Sequence, residues 1–342
     1  MFFAGKFILD IAGFVESQGM SRLKIMEMVG FDEDILEKEN ALVDYDCISG
    51  IFKLIKSELK DPRFGLHMGE QIMLSATSYI DQLMDSCSTV REAFEHAIAY
   101  SRLISDSMDC SLEMFDDNFR VNFELNPDWS LCDDYAIIQN LDLALICAKN
   151  SLYRLTSKEY FPVELNFFYP KPRKIAEHYR LFNTHLKFNA VVSSIVFNRH
   201  ILHKSTVNHN HGLLEQLKEE ANKILSSLPA ENQLITSVKK SILKHITRGS
   251  SHISDVADDL YMTTRMLQRR LKAEGLTFKQ IQNDIRFQIV RKMKHHGDCN
   301  LDEIAYLVGY AESSSFARAF KSWTGSSPGK YFNTSKLQTG KK

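Results

Sequence analysis

The chain has 342 residues, 44% of them hydrophobic and 25% charged, which excludes a disordered or fibrous protein and suggests about two domains at roughly 150 residues each. Apolar runs such as residues 143–148 are far shorter than the ~20 residues of a membrane span. The start, MFFAGKFILD, has charges inside its apolar stretch and no small-residue cleavage site, so a cytoplasmic protein is expected, without membrane or signal peptide.

Residues 1 to about 104 read as helices, because KFILDIAGFVESQG, CISGIFKLIKSEL and VREAFEHAIAYSRLI repeat apolar residues three and four apart. Thr89 stands where it can cap the last of these. SMDCSLEMFDDNFRVNFELN then changes period and predicts two strands joined at Asp116–Asp117–Asn118. Residues 133–156 return to helical spacing, and VELNFFY and SSIVFNR read as strands. The front half is thus expected to be α+β, with a helix across a small sheet.

HNHG at 209–212 marks a boundary. The next segment places Leu214, Leu217, Ala221, Ile224 and Leu228 at alternating three- and four-residue steps, which predicts either a dimerisation helix or one lying on its own domain. The expected divisions are an α+β domain over 1–208, a linker helix over 209–233 and a C-terminal domain over 234–336.

Charge divides near the same place. Residues 1–236 carry 23 Lys/Arg against 34 Asp/Glu, and the rest carry 19 against 9. A basic back half suggests a polyanion partner. Its spacing is almost wholly helical, and it contains one organisation twice, in ISDVADDLYMTTRMLQRRL (253–271) and LDEIAYLVGYAESSSFARAF (301–320). Each is a short helix containing alanine (Ala257, Ala305), a tight corner, and a basic second helix, as in a helix-turn-helix. Leu267 and Leu271, or Phe316 and Phe320, would anchor the second helix. Its free face would present Thr264, Arg265, Gln268, Arg269 and Lys272 in one case, and Ser313, Ser314, Ala317, Arg318 and Lys321 in the other. Arg and Gln bond guanine and adenine edges in the major groove, and Lys suits phosphate. The serines are small enough to let their helix sit deep. Between the units, residues 277–294 predict a helix of roughly 27 Å, with Phe278, Ile281, Ile285, Ile289 and Met293 on one side. Asn300 with Glu303 predicts a reciprocal cap, and Ser327–Pro328 the start of a last helix.

Ala305-x-x-x-Gly309-Tyr310, Ser315-Phe316-x-Arg318-x-Phe320-Lys321 and Gly325-x-Ser327-Pro328-x-x-Tyr331 together resemble the signature of the AraC/XylS transcription regulators. The resemblance covers about 234–332. It implies double-stranded promoter DNA as target, two helix-turn-helix units on a rigid connecting helix, and activation through RNA polymerase. By motif position it puts base reading on Arg265, Gln268, Arg269, Ser313, Ser314, Ala317 and Arg318. Tyr261 departs from the pattern, standing at a corner where glycine is usual. FGLHMGE (64–70), TVREAFEHAIAYSRLISDSM (89–108), VELNFFYPKP (163–172) and LKFNAVVSSIVFNRHIL (186–202) resemble the sensor-type domain of the ornithine-utilisation and virulence regulators, and not the sugar-binding jelly roll of the arabinose regulator. That implies a small-molecule effector but transfers no effector-binding residue.

The fold class expected is mainly α, with an α+β N-terminal domain and an all-α C-terminal domain of two helix-turn-helix units joined by a long helix. No catalytic motif or P-loop occurs, so no enzyme and no cofactor is expected. The six cysteines form no C-x-x-C pair and fit a reduced compartment. His203, His209 and His211 lack a supporting ligand pattern, so no metal is expected. The function expected is a sequence-specific regulator, an activator under effector control. Two alternatives stay open: an architectural DNA binder without an effector, and a DNA-binding module fused to a cysteine-based repair enzyme. A homodimer is among the expected partners.

Overall fold

The structure is a computed structural model that describes residues 1–38, 40–71, 78–131, 133–229, 232–246, 251–295, 300–310 and 312–331. Contacts divide the chain into two units, Met1–Ala230 and Glu231–Lys342. As expected, the molecule is mainly helical, with its described strands in the first unit and only helices among the described elements of the second.

The first unit opens with β1 (Phe2–Ala4), α1 (Gly5–Ser17), α2 (Leu23–Val29), α3 (Glu33–Leu36), β2 (Leu42–Asp44) and α4 (Tyr45–Glu58). β1 and β2 pair antiparallel, Phe2 opposite Asp44. This corrects the reading of residues 1–104 as helix throughout, since a three-residue strand is too short to show a period of two. There follow α5 (Phe64–Gln71), α6 (Ser78–Ser86), α7 (Val90–Ala99) and a 3₁₀ turn (Ser101–Leu103). Thr89 does cap α7, accepting from the Glu92 N–H at 3.2 Å.

β3 (Met108–Phe115) and β4 (Asn118–Leu125) form the expected hairpin. Its turn is Asp116–Asp117, with Asp116 at φ +45°, a left-handed conformation Asp tolerates. Next come α8 (Pro127–Ser130), α9 (Asp134–Thr156), β5 (Glu164–Asn166), α10 (Ala176–Phe182), β6 (His185–Lys187), β7 (Ser193–Asn198) and a 3₁₀ turn (Arg199–His203). The five strands lie in the order β3-β4-β7-β5-β6, antiparallel except for the β5–β6 pair. β6 went unread for the same reason as β1. α9 packs on the sheet and on α5. Glycine makes the second contact close: a Cβ on Gly65 would lie 2.0 Å from the Gln139 carbonyl, and one on Gly69 would lie 2.1 Å from Ile146.

α11 (His211–Ser227) completes this unit. Leu214, Leu217 and Ala221 belong to its core, with Leu225 packed against it. Tyr79 OH on α6 donates to the Leu217 carbonyl at 2.6 Å, and Arg102 donates to the Pro229 carbonyl at 2.8 Å. Of the two readings of the stripe, the helix on its own domain is the one observed. Leu214, Leu217 and Ala221 are covered by their own chain and are not free for a dimer seam. Ile224 is half-buried and Leu228 buried.

The second unit comprises α12 (Gln233–Ile246), α13 (Ile253–Asp259), α14 (Thr264–Ala273), α15 (Phe278–His295), α16 (Leu301–Leu307) and α17 (Ser313–Thr324). The Asn300–Glu303 cap forms in both directions. A last helical turn begins at Pro328, with Tyr331 N–H bonded to Ser327 O. Phe332, Cys132, Cys299 and His296 lie outside the described residues. Along α15 the buried stripe does not stay on one side. Ile281 and Ile285 are buried, then Val290, about 140° further round at ~100° per residue. Ile289 and Met293 are half-buried beside Val290, in the core of the second helix pair. One helix thus serves two small cores on different faces.

Candidate nucleic-acid interface and ligand cavity

The two helix pairs of the second unit, α13–α14 and α16–α17, turn by the same geometry. Met262 N–H bonds to Ala257 O at 2.8 Å, and 48 positions later Tyr310 N–H bonds to Ala305 O at 2.9 Å. Both are six-residue closures of a Schellman type, which need a left-handed residue just past the helix end. Gly309 supplies it at φ +84° and Tyr261 at φ +52°. Ala257 and Ala305 are buried at the crossings, where a longer side chain would separate the helices.

The second helix of each pair is fixed from behind. Leu267 and Leu271 are fully buried, as are Phe316 and Phe320. Thr263 caps α14, accepting from Met266 N–H at 3.2 Å. The opposite faces then project outward. Thr264, Arg265, Gln268, Arg269 and Lys272 are all exposed. On α17, Ser314, Arg318 and Lys321 are exposed, and Ser313 and Ala317 half-buried. The positions match at an offset of 49, so each helix offers two rungs, then one more turn of chain, in the same phase. Arg318 donates to Ser315 Oγ at 3.3 Å, which steadies its stem along the helix.

One group on this face was missed. Glu312 is the N-cap residue of α17, exposed, and accepts from Ser314 Oγ at 3.1 Å. Its identity carried the signal, since a carboxylate at a helix start accepts from backbone or from cytosine N4. Two polar links support the pairs. Asp259 takes hydrogen bonds from Lys244 Nζ at 2.8 Å and Ser241 at 2.7 Å, and lies 2.9 Å from His245 Nε2. The Lys244 bond, with those from Ser241 and His245, holds its carboxyl well below the usual range. Further along, Gln282 bonds Ser251, Arg286 bonds Gln282 at 3.2 Å, and the Arg286 guanidinium lies 5.0 Å from the Tyr310 ring centre. This chain runs from the start of the first pair, across α15, to the corner of the second.

The matches to known proteins agree with this geometry. The family model described as the arabinose-binding domain of AraC transcription regulator, N-term, matches residues 19–205, more than half of the chain. A helix-turn-helix domain model matches residues 256–334. The chain belongs to the AraC family of transcription regulators. It is 22% identical over 324 residues to the ornithine utilization regulator of Pseudomonas aeruginosa, covering 95% of this chain and 93% of that one. The transcriptional activator PerA of Escherichia coli is 31% identical over 107 residues, 29% of this chain and 39% of its own length. The crystal structure of the transcriptional regulator CdpR from Pseudomonas aeruginosa aligns with 20% identity and a TM-score of 0.43, covering 83% of this chain and 90% of that one. The protein is therefore a DNA-binding regulator and not an enzyme. The N-terminal match is to an arabinose-binding domain model, whereas the sequence reading set this half apart from a sugar-binding jelly roll. The described strands form one five-stranded sheet and a two-stranded pair. Among the described residues, no helix is long and apolar enough to cross a membrane.

The AraC-type N-terminal unit contains a partly open cavity of about 580 Å³ between α1, α5, α6, α7, the 101–105 segment, the β3–β4 hairpin and one face of α9. Its lining is chiefly apolar, including Phe7, Met84, Phe94, Val121, Phe123 and Leu143. Along α9 the lining residues Ala144, Cys147, Ala148 and Ser151 are small, which keeps the space open. Burial pushes the Cys110 and Cys147 thiols up to about 12, the reverse of an activated nucleophile. For Cys147 the dominant cause is its desolvation on α9, with Asp81 adding to it. The histidines His203, His209 and His211 are exposed. Folding instead brings Cys87, Glu92 and His96 within 4.8 Å of one another, a grouping that the spacing C-x₄-E-x₃-H could have flagged. Glu92 accepts from Ser88 N–H and Oγ, Cys87 Sγ donates to the Leu83 carbonyl at 3.2 Å, and His96 stacks on Tyr100.

Proposed function

We propose that this AraC-family protein is a sequence-specific activator that reads two adjacent major-groove segments of promoter DNA, one with each of α14 and α17, under control of a small molecule held in the N-terminal cavity. The observation that carries the reading is the repeated corner bond at an offset of 48, with two outward faces in the same phase behind it. Arg265, Gln268, Arg269 and Arg318 read bases, Ser313, Ser314 and Ala317 permit close approach, and Thr264, Lys272 and Lys321 face the backbone. Family membership supports RNA polymerase as the partner and the cytoplasm as the place of action.

Selection of bound sequences from random duplex DNA with the full-length protein tests this. The expected product is two half-elements about one helical turn, ~34 Å, apart. Arg265→Ala should erase one half-element and Arg318→Ala the other. A product with no motif would favour an architectural binder instead.

The cavity supports the control. α6 and the 101–105 segment line it, and both also hold α11, the last helix before the DNA-binding unit. A ligand that shifts either element shifts what α11 rests on. Leu217 is part of the core, so changing it would damage the fold. Tyr79→Phe removes the hydroxyl that bonds the Leu217 carbonyl, and should weaken effector response while leaving DNA affinity without effector unchanged.

A further inference from the structure

We propose that the ligand of the N-terminal cavity is an uncharged, largely apolar small molecule, and not a sugar or a free amino acid. This rests on reading the cavity as the effector site. The argument is one of complementarity: a pocket selects polar ligands through donors, acceptors and charges that its own protein leaves open.

Here each charged group of the described lining already has an ion-pair partner. Arg154 is held by Asp81 at 2.8 Å and by Asp85, and Glu70 receives both guanidinium nitrogens of Arg180 at 2.5 Å. An amino-acid ligand would have to compete with these ion pairs for a partner to its own ammonium or carboxylate. Several hydroxyls and amides of the described lining are also engaged. Ser105 bonds Ser107, and Asn140 donates to that same Ser107. Ser101 and Ser151 donate back to carbonyls of their own helical turns. A sugar would bury hydroxyls against Phe7, Phe94 and Phe123 with few partners for them, a steep penalty. The two thiols of the lining are protonated and behave as small apolar groups. At about 580 Å³ the space suits a ligand of ordinary small-molecule size.

The test uses the full-length protein and the neutral fluorophore N-phenyl-1-naphthylamine. Its fluorescence should rise saturably, fall back on addition of 1-decanol, and stay unchanged with L-arabinose or L-ornithine at about a hundredfold higher concentration. Ala144→Trp, which fills the space from α9, should weaken probe binding about tenfold or more. Ala148→Trp is a second filler should the first not fold, and circular dichroism reports folding for both. Displacement by arabinose or ornithine, abolished by either filler, would overturn the apolar assignment while keeping the cavity as a ligand site. Probe binding that is absent, or that survives in a folded filler variant, would overturn the cavity reading itself.

Discussion

The first and second helix pairs of the DNA-binding unit share a backbone and differ in nearly everything attached to it. Both corners close with the same hydrogen bond, yet one uses Gly309 and the other Tyr261 in a left-handed conformation that costs a non-glycine residue about 1–2 kcal/mol. Behind its second helix, the first pair packs two leucines and the second two phenylalanines, which join Phe287, Tyr310, Trp323 and Tyr331 in an aromatic core. The first pair is also tied by Asp259, while the equivalent position 48 residues on is the exposed Leu307. At the free face, long Arg and Gln side chains stand opposite a small-residue approach. Geometry has been kept and chemistry has diverged, as the proposed reading of two different half-elements requires.

The largest expected effect probes the aromatic core. Phe320→Ala should cost about 3–5 kcal/mol of stability, against about 2–5 kcal/mol for Leu271→Ala in the first pair, read as denaturant midpoints of the C-terminal transition. Equal losses would mean that the two cores do not differ in kind. Next, Arg265→Ala and Arg318→Ala should each cost about 1–3 kcal/mol on the specific site and relax base preference at one half-element only. Lys321→Ala should weaken binding to all sequences alike and reduce the salt slope by about 1. Binding isotherms at several salt concentrations separate the two behaviours.

Asp259→Asn should lower stability by about 1.5 kcal/mol, since it weakens charge-assisted bonds to Lys244 and His245. The folded carboxyl titrates below its usual value. Its contribution is therefore complete above the unfolded value of about 3.9 and is lost as pH falls below that. Melting curves of wild type and Asp259→Asn should converge in that acid range, and a constant gap would mean that the ion pair is not the cause. The smallest effect lies at the corners. Tyr261 is 98% exposed, so Tyr261→Gly sacrifices no packing and should raise stability by about 1 kcal/mol, whereas Gly309→Ala should lower it by a similar amount. A drop for Tyr261→Gly would show that the tyrosine has a contact on DNA or elsewhere that holds its strained backbone.

Much of this half was legible in the residues. The corner Gly309, the crossing alanines, the anchors and the Asn300–Glu303 cap are local signals, each fixed by chemistry within a few positions. The α15 stripe was less so. Its first half, Ile281 and Ile285, followed the expected face, but Val290 turned to a second core that the helix's own period cannot reveal. Glu312 escaped because a search for basic readers passes over an acid.

By itself the sequence determined the helices of the C-terminal unit, their duplication and the side chains on their outward faces, because helical period, capping and corner residues act over one or two turns. Only the tertiary structure decided the rest. β1 meets β2 some 40 residues later, and β5 meets β6 parallel across α10, pairings that no three-residue segment encodes. Leu214, Leu217 and Ala221 carry a stripe that would suit a partner chain equally well, and α6 and its neighbours took it first. The cavity and the matched charges around it depend on Arg154 reaching back to Asp81, and Arg180 to Glu70, over long stretches of chain. Such contacts form only when the whole unit has folded, which is why residue pattern announces a regulator while the shape of its N-terminal cavity waits for the fold.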